Sequence, residues 1–205
     1  MSTSTPLMQL PVMEQFYTLQ GEGYHQGKAA YFIRLGGCDV GCVWCDVKES
    51  WPLHAHPLWD INALVAAVEK SGARLAVITG GEPLMHSLDA LTTLLSNKGI
   101  ACHLETSGAH PLSGNWDWIC LSPKKFKAPL PSILQQANEL KVVVYHESDF
   151  TWGESFAAQM KKTCKLFLQP EWSKRDQLTN NIIAYVKQNP QWELSLQVHK
   201  YLNIP

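Results

Sequence analysis

Short apolar runs alternate along the chain with longer amphipathic stretches. β-rich runs recur at residues 30–35, 75–79, 101–105, 116–121, 140–145, 165–169 and 193–198. Most are apolar at consecutive positions, the pattern of strands buried on both faces of a parallel sheet. Between several of them the apolar residues take up helical spacing: Ile61, Leu64, Val65 and Val68 share a face, as do Leu88, Leu91, Leu94 and Leu95, and again Leu178, Ile182 and Tyr185. Ser87 is a candidate N-cap of the second helix, and Gly99 a candidate terminator. Strands alternating with helices require right-handed crossovers. The expected fold is therefore α/β with mostly parallel strands, doubly wound or curled into a partial (β/α) barrel.

Sheets of this kind gather chemistry at the carboxyl ends of their strands. Residues 36–45, 80–82, 107–108, 122–124 and 169–170 each directly follow an expected strand, which sets the glycine-rich and polar segments on one rim.

At 205 residues and 45% hydrophobic content, the chain is sized for a single domain, 1–205, with no linker, repeat or low-complexity tract. A formal net charge of −1 offers no basic stripe for a polyanion, so nucleic acid is not an expected partner. Residues 1–10 lack a leader pattern, and no segment approaches the roughly 18 apolar residues of a membrane span, so a cytoplasmic protein is expected. Three of six cysteines crowd into eight residues, while Cys102, Cys120 and Cys164 lie isolated in apolar stretches. That distribution points to a metal centre in a reducing compartment, with the isolated three as core residues.

The crowded three form a Cys38-x3-Cys42-x2-Cys45 loop that also holds Gly36, Gly37 and Gly41. Such spacing lets three thiolates converge on one [4Fe–4S] cubane and leaves one iron open. An open iron can chelate the amino and carboxylate groups of S-adenosylmethionine and pass an electron to its sulfonium, releasing a 5′-deoxyadenosyl radical. The alternative from the same residues is a structural zinc closed by His54 or His56, in a binding module without catalysis.

The cysteine loop, followed after the next strand by Gly80-Gly81-Glu82-Pro83, resembles the radical S-adenosylmethionine superfamily, whose glycine-rich segment meets the methionyl amino group. A strand ending in Gly-Gly exposes backbone carbonyls, and Glu82 would add a carboxylate near the ammonium. Within the superfamily the chain is similar to the 7-carboxy-7-deazaguanine synthases over nearly its whole length. The likeness is carried by Phe16-Tyr-Thr-Leu-Gln-Gly-Glu-Gly23, Phe32-Ile-Arg-Leu-Gly-Gly-Cys38, Thr79-Gly-Gly-Glu-Pro83 and Glu105-Thr-Ser-Gly108. It continues through Ser122-Pro-Lys124, Leu168-Gln-Pro170 and Leu196-Gln-Val-His-Lys-Tyr-Leu-Asn-Ile-Pro205. The resemblance implies a carbon–nitrogen lyase that contracts 6-carboxy-5,6,7,8-tetrahydropterin to 7-carboxy-7-deazaguanine with loss of ammonia, a step toward queuosine. It also implies a homodimer and a flavodoxin-type reductase as electron donor.

On this resemblance Leu19, Gln20 and Gly21 face the pterin, Arg34 pairs with the substrate carboxylate, and Thr79, His199 and Pro205 complete the substrate pocket. Trp44, Cys45, Asp46, Gly81, Ser107, Ser122, Pro123, Lys124, Gln169 and Pro170 surround S-adenosylmethionine. Read alone, a guanidinium ending a buried strand suits a bidentate carboxylate pair, and a strand-end salt bridge is its plainer role. The plainer reading of Pro205 is a frayed tail, and that of Glu22 a solvated carboxylate. Family members carry Cys-Asp-Thr after the last thiol, and the threonine helps bind Mg²⁺ beside the substrate. Here the run is Cys45-Asp46-Val47, and valine has no oxygen to offer, so either Mg²⁺ is held by Asp46, water, backbone or substrate oxygens, or the requirement for it is weakened. Residues 48–59 carry no assigned role. A glycyl-radical activase would share the cluster and cofactor segments, but Gln20, Arg34 and the Gln-x-His-Lys ending favour a small acid.

Overall fold

The computed structural model describes residues 8–205, and the expectations for residues 1–7 lie outside the described residues. β1 (Gln9–Leu19) and β2 (Ala29–Leu35) open the chain as an antiparallel pair. After the cysteine loop come β3 (Leu58–Asp60), α1 (Ile61–Ser71), β4 (Leu75–Gly80), α2 (Asp89–Asn97), β5 (Ala101–Thr106) and β6 (Trp118–Leu121). The rest is α3 (Pro131–Leu134), β7 (Glu139–Val144), α4 (Ser148–Ala157), β8 (Lys165–Pro170), α5 (Arg175–Gln188), β9 (Trp192–Leu194) and α6 (Val198–Leu202). Among the described residues the strands form one nine-stranded sheet in the order β3-β1-β2-β4-β5-β6-β7-β8-β9. From β2 to β9 each pairing is parallel, whereas β1 runs against both its neighbours. The sheet is thus the expected α/β, mostly parallel one, open between its two edge strands.

Alternation along the strands sorts two faces. Ile33 and Leu35, Ala76 and Ile78, Leu104, Ile119 and Leu121, and Leu140, Val142 and Val144 turn toward the helices. There they join Leu64, Val68, Leu91, Leu95 and Ile182 in the main core. The other face begins with a small apolar group, Ala30, Leu75 and Val77, and then becomes polar through the buried His103, Lys141 and Gln169. That polar inner face borders the site.

Helix ends show which local signals survive packing. Asp60 Oδ1 caps α1 by accepting from the N–H groups of Asn62 and Ala63. Gly99, at φ 68°, closes α2, with its N–H on the Ser96 carbonyl and that of Ile100 on the Leu95 carbonyl. Ser87 does not cap α2: its hydroxyl donates to Asp89, whose other oxygen accepts from Gly114 N–H, so the loop at 113–114 holds the helix start instead. The expected strand at 193–198 is shorter. Ser195 turns inward, its N–H on the Leu168 carbonyl and its hydroxyl on Gln169, and the chain leaves the sheet to form α6.

Residues 20–28 fold beneath the inner face as a floor. His25 packs against His103 and Trp118 with ring centroids 4.4 and 4.5 Å away, and Tyr24 stacks on Trp118 at 5.0 Å. Glu139 accepts from Trp118 Nε1 at 3.0 Å and from Tyr24 N–H at 3.3 Å. Gly23 N–H donates to Ser195 Oγ at 3.0 Å and Val198 N–H to the Gly21 carbonyl at 2.9 Å, tying the loop after β1 to the last segment. No described helix is long and apolar enough to cross a membrane.

Candidate active site

Above this floor lies a cavity of about 420 Å³. Leu19, Gln20, Gly21 and Arg34 line it from the β1–β2 side, and Cys38, Cys42, Trp44, Cys45 and Asp46 from the cysteine loop. Thr79, Gly81, Ser107, Ser122, Lys124, Gln169 and Pro170 reach it from the strand ends, and His199 and Pro205 from the last segment. Pro123 is the exception among the residues named from sequence: it is buried between Ser122 and Lys124 and does not face the cavity.

The cysteine loop owes its path to backbone. Gly37 and Gly41 have φ of 99° and 74°, the left-handed region that side chains resist. Gly37 N–H bonds the Ser50 carbonyl at 2.7 Å and Cys38 N–H the Trp51 carbonyl at 3.1 Å, which gives the segment around residues 48–51 a role that its composition did not reveal. Val40, Cys42 and Ala109 form a small apolar cluster against Cys38, Trp44 and Cys45. Burial pushes the Cys42 thiol up to about 11 and raises that of Cys38, so ionisation awaits a metal that displaces the proton. Among the described residues no three Cys, His, Asp or Glu side chains gather closely enough for a single ion. His56 is engaged with the Glu49 carbonyl at 2.9 Å, and neither it nor His54 lines the cavity. Three soft donors spread along one wall, without a fourth, suit a polynuclear iron–sulfur cluster and not a closed zinc site.

The Gly80-Gly81 pair lets the end of β4 touch this loop. A Cβ at Gly80 would lie 2.4 Å from the Leu35 carbonyl oxygen, and one at Gly81 would lie 2.4 Å from that of Gly37. Glu82 departs from the expectation of a carboxylate waiting for an ammonium. It is 1% exposed and does not line the cavity. Its two oxygens accept from Leu84 N–H, the Thr106 hydroxyl, and both the N–H and hydroxyl of Ser107. The carboxylate is spent on joining the loops that follow β4 and β5.

Arg34 takes the plainer role read from sequence and also reaches the cavity. Its Nε donates to Glu14 at 2.6 Å, a strand-end ion pair, and the side chain still lines the cavity. Phe32, on the same face two residues before, stacks with Phe16 at 5.5 Å beside it.

Deeper in the cavity is a network that sequence reasoning missed. Lys141, 4% exposed, reaches Glu22 at 2.7 Å and Glu105 at 2.9 Å. Gln197 donates to the other oxygen of Glu22 at 2.9 Å, and Gln20 to that of Glu105 at 3.3 Å. Burial works to raise the Glu22 carboxyl, but Lys141, with Gln197 and His199, overrides it and holds the group at about 2. Burial keeps His199 below its usual range and hence neutral near pH 7. The available signal was a lysine at the alternate position of the run Glu139-Leu-Lys-Val-Val-Val144, where buried strands rarely place a charge without a partner.

At the rim Lys124 lies 5.4 Å from the Trp44 ring centroid and donates to Ser122. Asp46 is paired with Lys200 at 2.6 Å and meets Gln197 at 3.5 Å. Both contacts fall on Oδ2 and leave the other carboxylate oxygen of Asp46 toward the cavity, while Val47 beside it offers no side-chain oxygen.

An open, mostly parallel sheet that brings three thiols and a Gly-Gly strand end to one cavity defines a radical S-adenosylmethionine enzyme, and residues 32–122 match the family model of the Radical SAM superfamily. The chain is 54% identical over 196 residues to a 7-carboxy-7-deazaguanine synthase of Flavobacterium psychrophilum, covering 96% of this chain and 93% of that one. To the 7-carboxy-7-deazaguanine synthase of Escherichia coli strain K12 it is 39% identical, with 96% and 100% covered. A crystal structure of QueE from Escherichia coli matches it with a TM-score of 0.83 at 36% identity, over 93% of this chain and 95% of the other. The chain belongs to the 7-carboxy-7-deazaguanine synthase family. Membership implies a [4Fe–4S] cluster and S-adenosylmethionine as cofactors.

Proposed function

We propose that this protein converts 6-carboxy-5,6,7,8-tetrahydropterin to 7-carboxy-7-deazaguanine with release of ammonia, on the route to queuosine. The observation that carries the reading is the polarity of one cavity: the Arg34 guanidinium on β2, acidic and amide groups further in, and three thiols at the rim. When bound, the cluster and S-adenosylmethionine supply a carbon radical that takes one hydrogen atom from the substrate.

Cys38, Cys42 and Cys45 hold the cluster. Trp44, Asp46, Gly81, Ser107, Ser122, Lys124, Gln169 and Pro170 surround the cofactor, with Pro123 as a buried spacer beneath them. Arg34, anchored through Nε by Glu14, keeps its terminal nitrogens for the substrate carboxylate, and this tether orients the fork before the ligand arrives. Leu19, Gln20, Gly21, Thr79, His199 and Pro205 frame the ring, His199 as a neutral imidazole able to donate or accept one hydrogen bond. Tyr24 and His25, packed on Trp118, back the segment 20–22 that lines the cavity. Mg²⁺ in this reading is held through Asp46, water, backbone or substrate oxygens, since the Val47 side chain supplies none. A homodimer, a flavodoxin-type donor and a cytoplasmic setting complete it.

Anaerobically reconstituted protein, given dithionite, S-adenosylmethionine and the carboxytetrahydropterin, is expected to form the deazaguanine acid, detected by mass spectrometry. Arg34→Ala retains the cluster's brown absorbance and loses roughly a hundredfold or more in kcat/KM, because a charge-assisted pair is gone. Cys42→Ala loses cluster and turnover together. A fully loaded cluster that leaves this substrate unchanged overturns the assignment.

A further inference from the structure

The two halves of the cysteine loop are held in different ways. Residues 36–38 hang on backbone: the N–H groups of Gly37 and Cys38 donate to the Ser50 and Trp51 carbonyls, and Glu82 N–H donates to the Gly37 carbonyl at 2.8 Å. Among the described residues, 39–45 make a single backbone hydrogen bond, from Cys45 N–H to the Cys42 carbonyl, and it closes on the loop itself. The polar grip on this outer half comes from the Asp39 side chain. Its Oδ1 lies 2.9 Å from His110 Nε2, its Oδ2 accepts from Lys127 Nζ at 2.7 Å, and that ammonium also meets His110 Nε2 at 3.1 Å. His110 belongs to the loop after β5, next to Ala109, which packs with Val40 and Cys42. Lys127 belongs to the loop after β6, where it pairs with Lys124 in an isolated antiparallel bridge, and Lys124 and Ser122 face the cavity. Asp39, His110 and Lys127 themselves do not line the cavity.

We propose that Asp39 is a positioning residue for the cluster: through His110 and Lys127 it pins the outer half of the cysteine loop, with Cys42, to the loops after β5 and β6, so that the ligand geometry exists before iron arrives. The inference rests on the [4Fe–4S] cluster that family membership implies, and not on the substrate proposed above. A loop without backbone ties has many open conformations, and bringing its thiols together from them costs entropy at the moment of metal binding. A tether that is already made removes part of that cost. One exposed ion pair holds little, and these side chains are 21 to 41% exposed; a carboxylate bound on both oxygens from two different loops holds more.

The test is alkylation of the full-length, cluster-free protein by iodoacetamide, followed at each cysteine by peptide mass spectrometry. Cys42 is buried in the wild type and is expected to react slowly. Asp39→Ala is expected to raise the rate at Cys42 by about fivefold, the scale of one lost set of half-exposed pairs. The buried Cys102 and Cys120 keep their wild-type rates, whereas a general loosening of the fold would raise all three together. Lys127→Met also speeds Cys42, and its effect and that of Asp39→Ala combine less than additively because they break the same tether. Charge alone predicts opposite signs for the two variants, since loss of a carboxylate eases thiol ionisation and loss of an ammonium hinders it. Salt at about 1 M, which screens exposed pairs, brings the wild-type rate toward that of Asp39→Ala and leaves the variant's own rate unmoved. During anaerobic reconstitution Asp39→Ala takes up iron more slowly than the wild type. An unchanged Cys42 rate in Asp39→Ala, a rise shared equally by Cys102 and Cys120, or a slower Cys42 in Lys127→Met overturns the tether. None of these results touches the substrate assignment, which stands or falls on turnover.

Discussion

A single methyl group at residue 81 would lie 2.4 Å from the Gly37 carbonyl oxygen and 2.7 Å from Cys38 Cβ. Backbone cannot swing aside as the tip of a long side chain does, so Gly81→Ala pushes the cysteine loop off the end of β4. Iron and sulfide content is expected to fall by more than about half while far-UV circular dichroism stays near wild type; full iron content would show that the loop tolerates the displacement. Cysteines and paired glycines were legible in the sequence because their chemistry is declared within a few neighbouring positions. Glu82 was misread for the opposite reason, since two of the groups that consume its carboxylate, Thr106 and Ser107, lie 24 and 25 residues away. Lys141 was overlooked because its partners stand 119 and 36 positions off.

Among elements, the β strands with unbroken apolar runs were readable, and so were α1, α2 and α5, whose apolar stripes are long. β1 escaped because Pro11, a register shift between Val12 and Glu14, and its mixed exposure hide the alternation of an antiparallel strand near the sheet's edge. α4 has a weak stripe and carries Gly153, where a Cβ would come within 3.3 to 3.5 Å of Val142 and Trp192, so its packing depends on partners from two other elements. The join between the loops after β4 and β5 has a measurable strength. Glu82→Gln turns acceptor oxygens into an amide facing donors, and a loss of about 2–4 kcal/mol in urea unfolding is expected. A loss below about 0.5 kcal/mol would mean that the four hydrogen bonds are replaced by other partners.

For the molecule as a whole, the floor makes stability depend on pH. Burial, aided by neighbouring His25, drops His103 to about 4 from its ordinary 6.5. Between those values an unfolded chain binds a proton that the native one refuses, so the His103 contribution is full above 6.5 and declines as pH falls to about 4. Glu22 adds a second window below: its carboxyl sits at about 2 against an ordinary 4.5, so its contribution is full above 4.5 and disappears on approach to 2. Melting temperature measured across pH is expected to fall in both windows, and His103→Phe should flatten the upper one. An unchanged slope between pH 6.5 and 4 in that variant would assign the loss to other groups.

The hydrogen bonds that tie Gly21 to Val198 and Gly23 to Ser195 join positions separated by most of the chain. Contacts of such range form late, since the ends must first be brought together against the entropy of the intervening loop. On a ribosome the consequence is strict: seven parallel strands have been made before residues 195 and 198 emerge to fasten the base beneath them. Until that moment a nascent chain carries its cysteines on a structure whose ligand chamber is still unsealed.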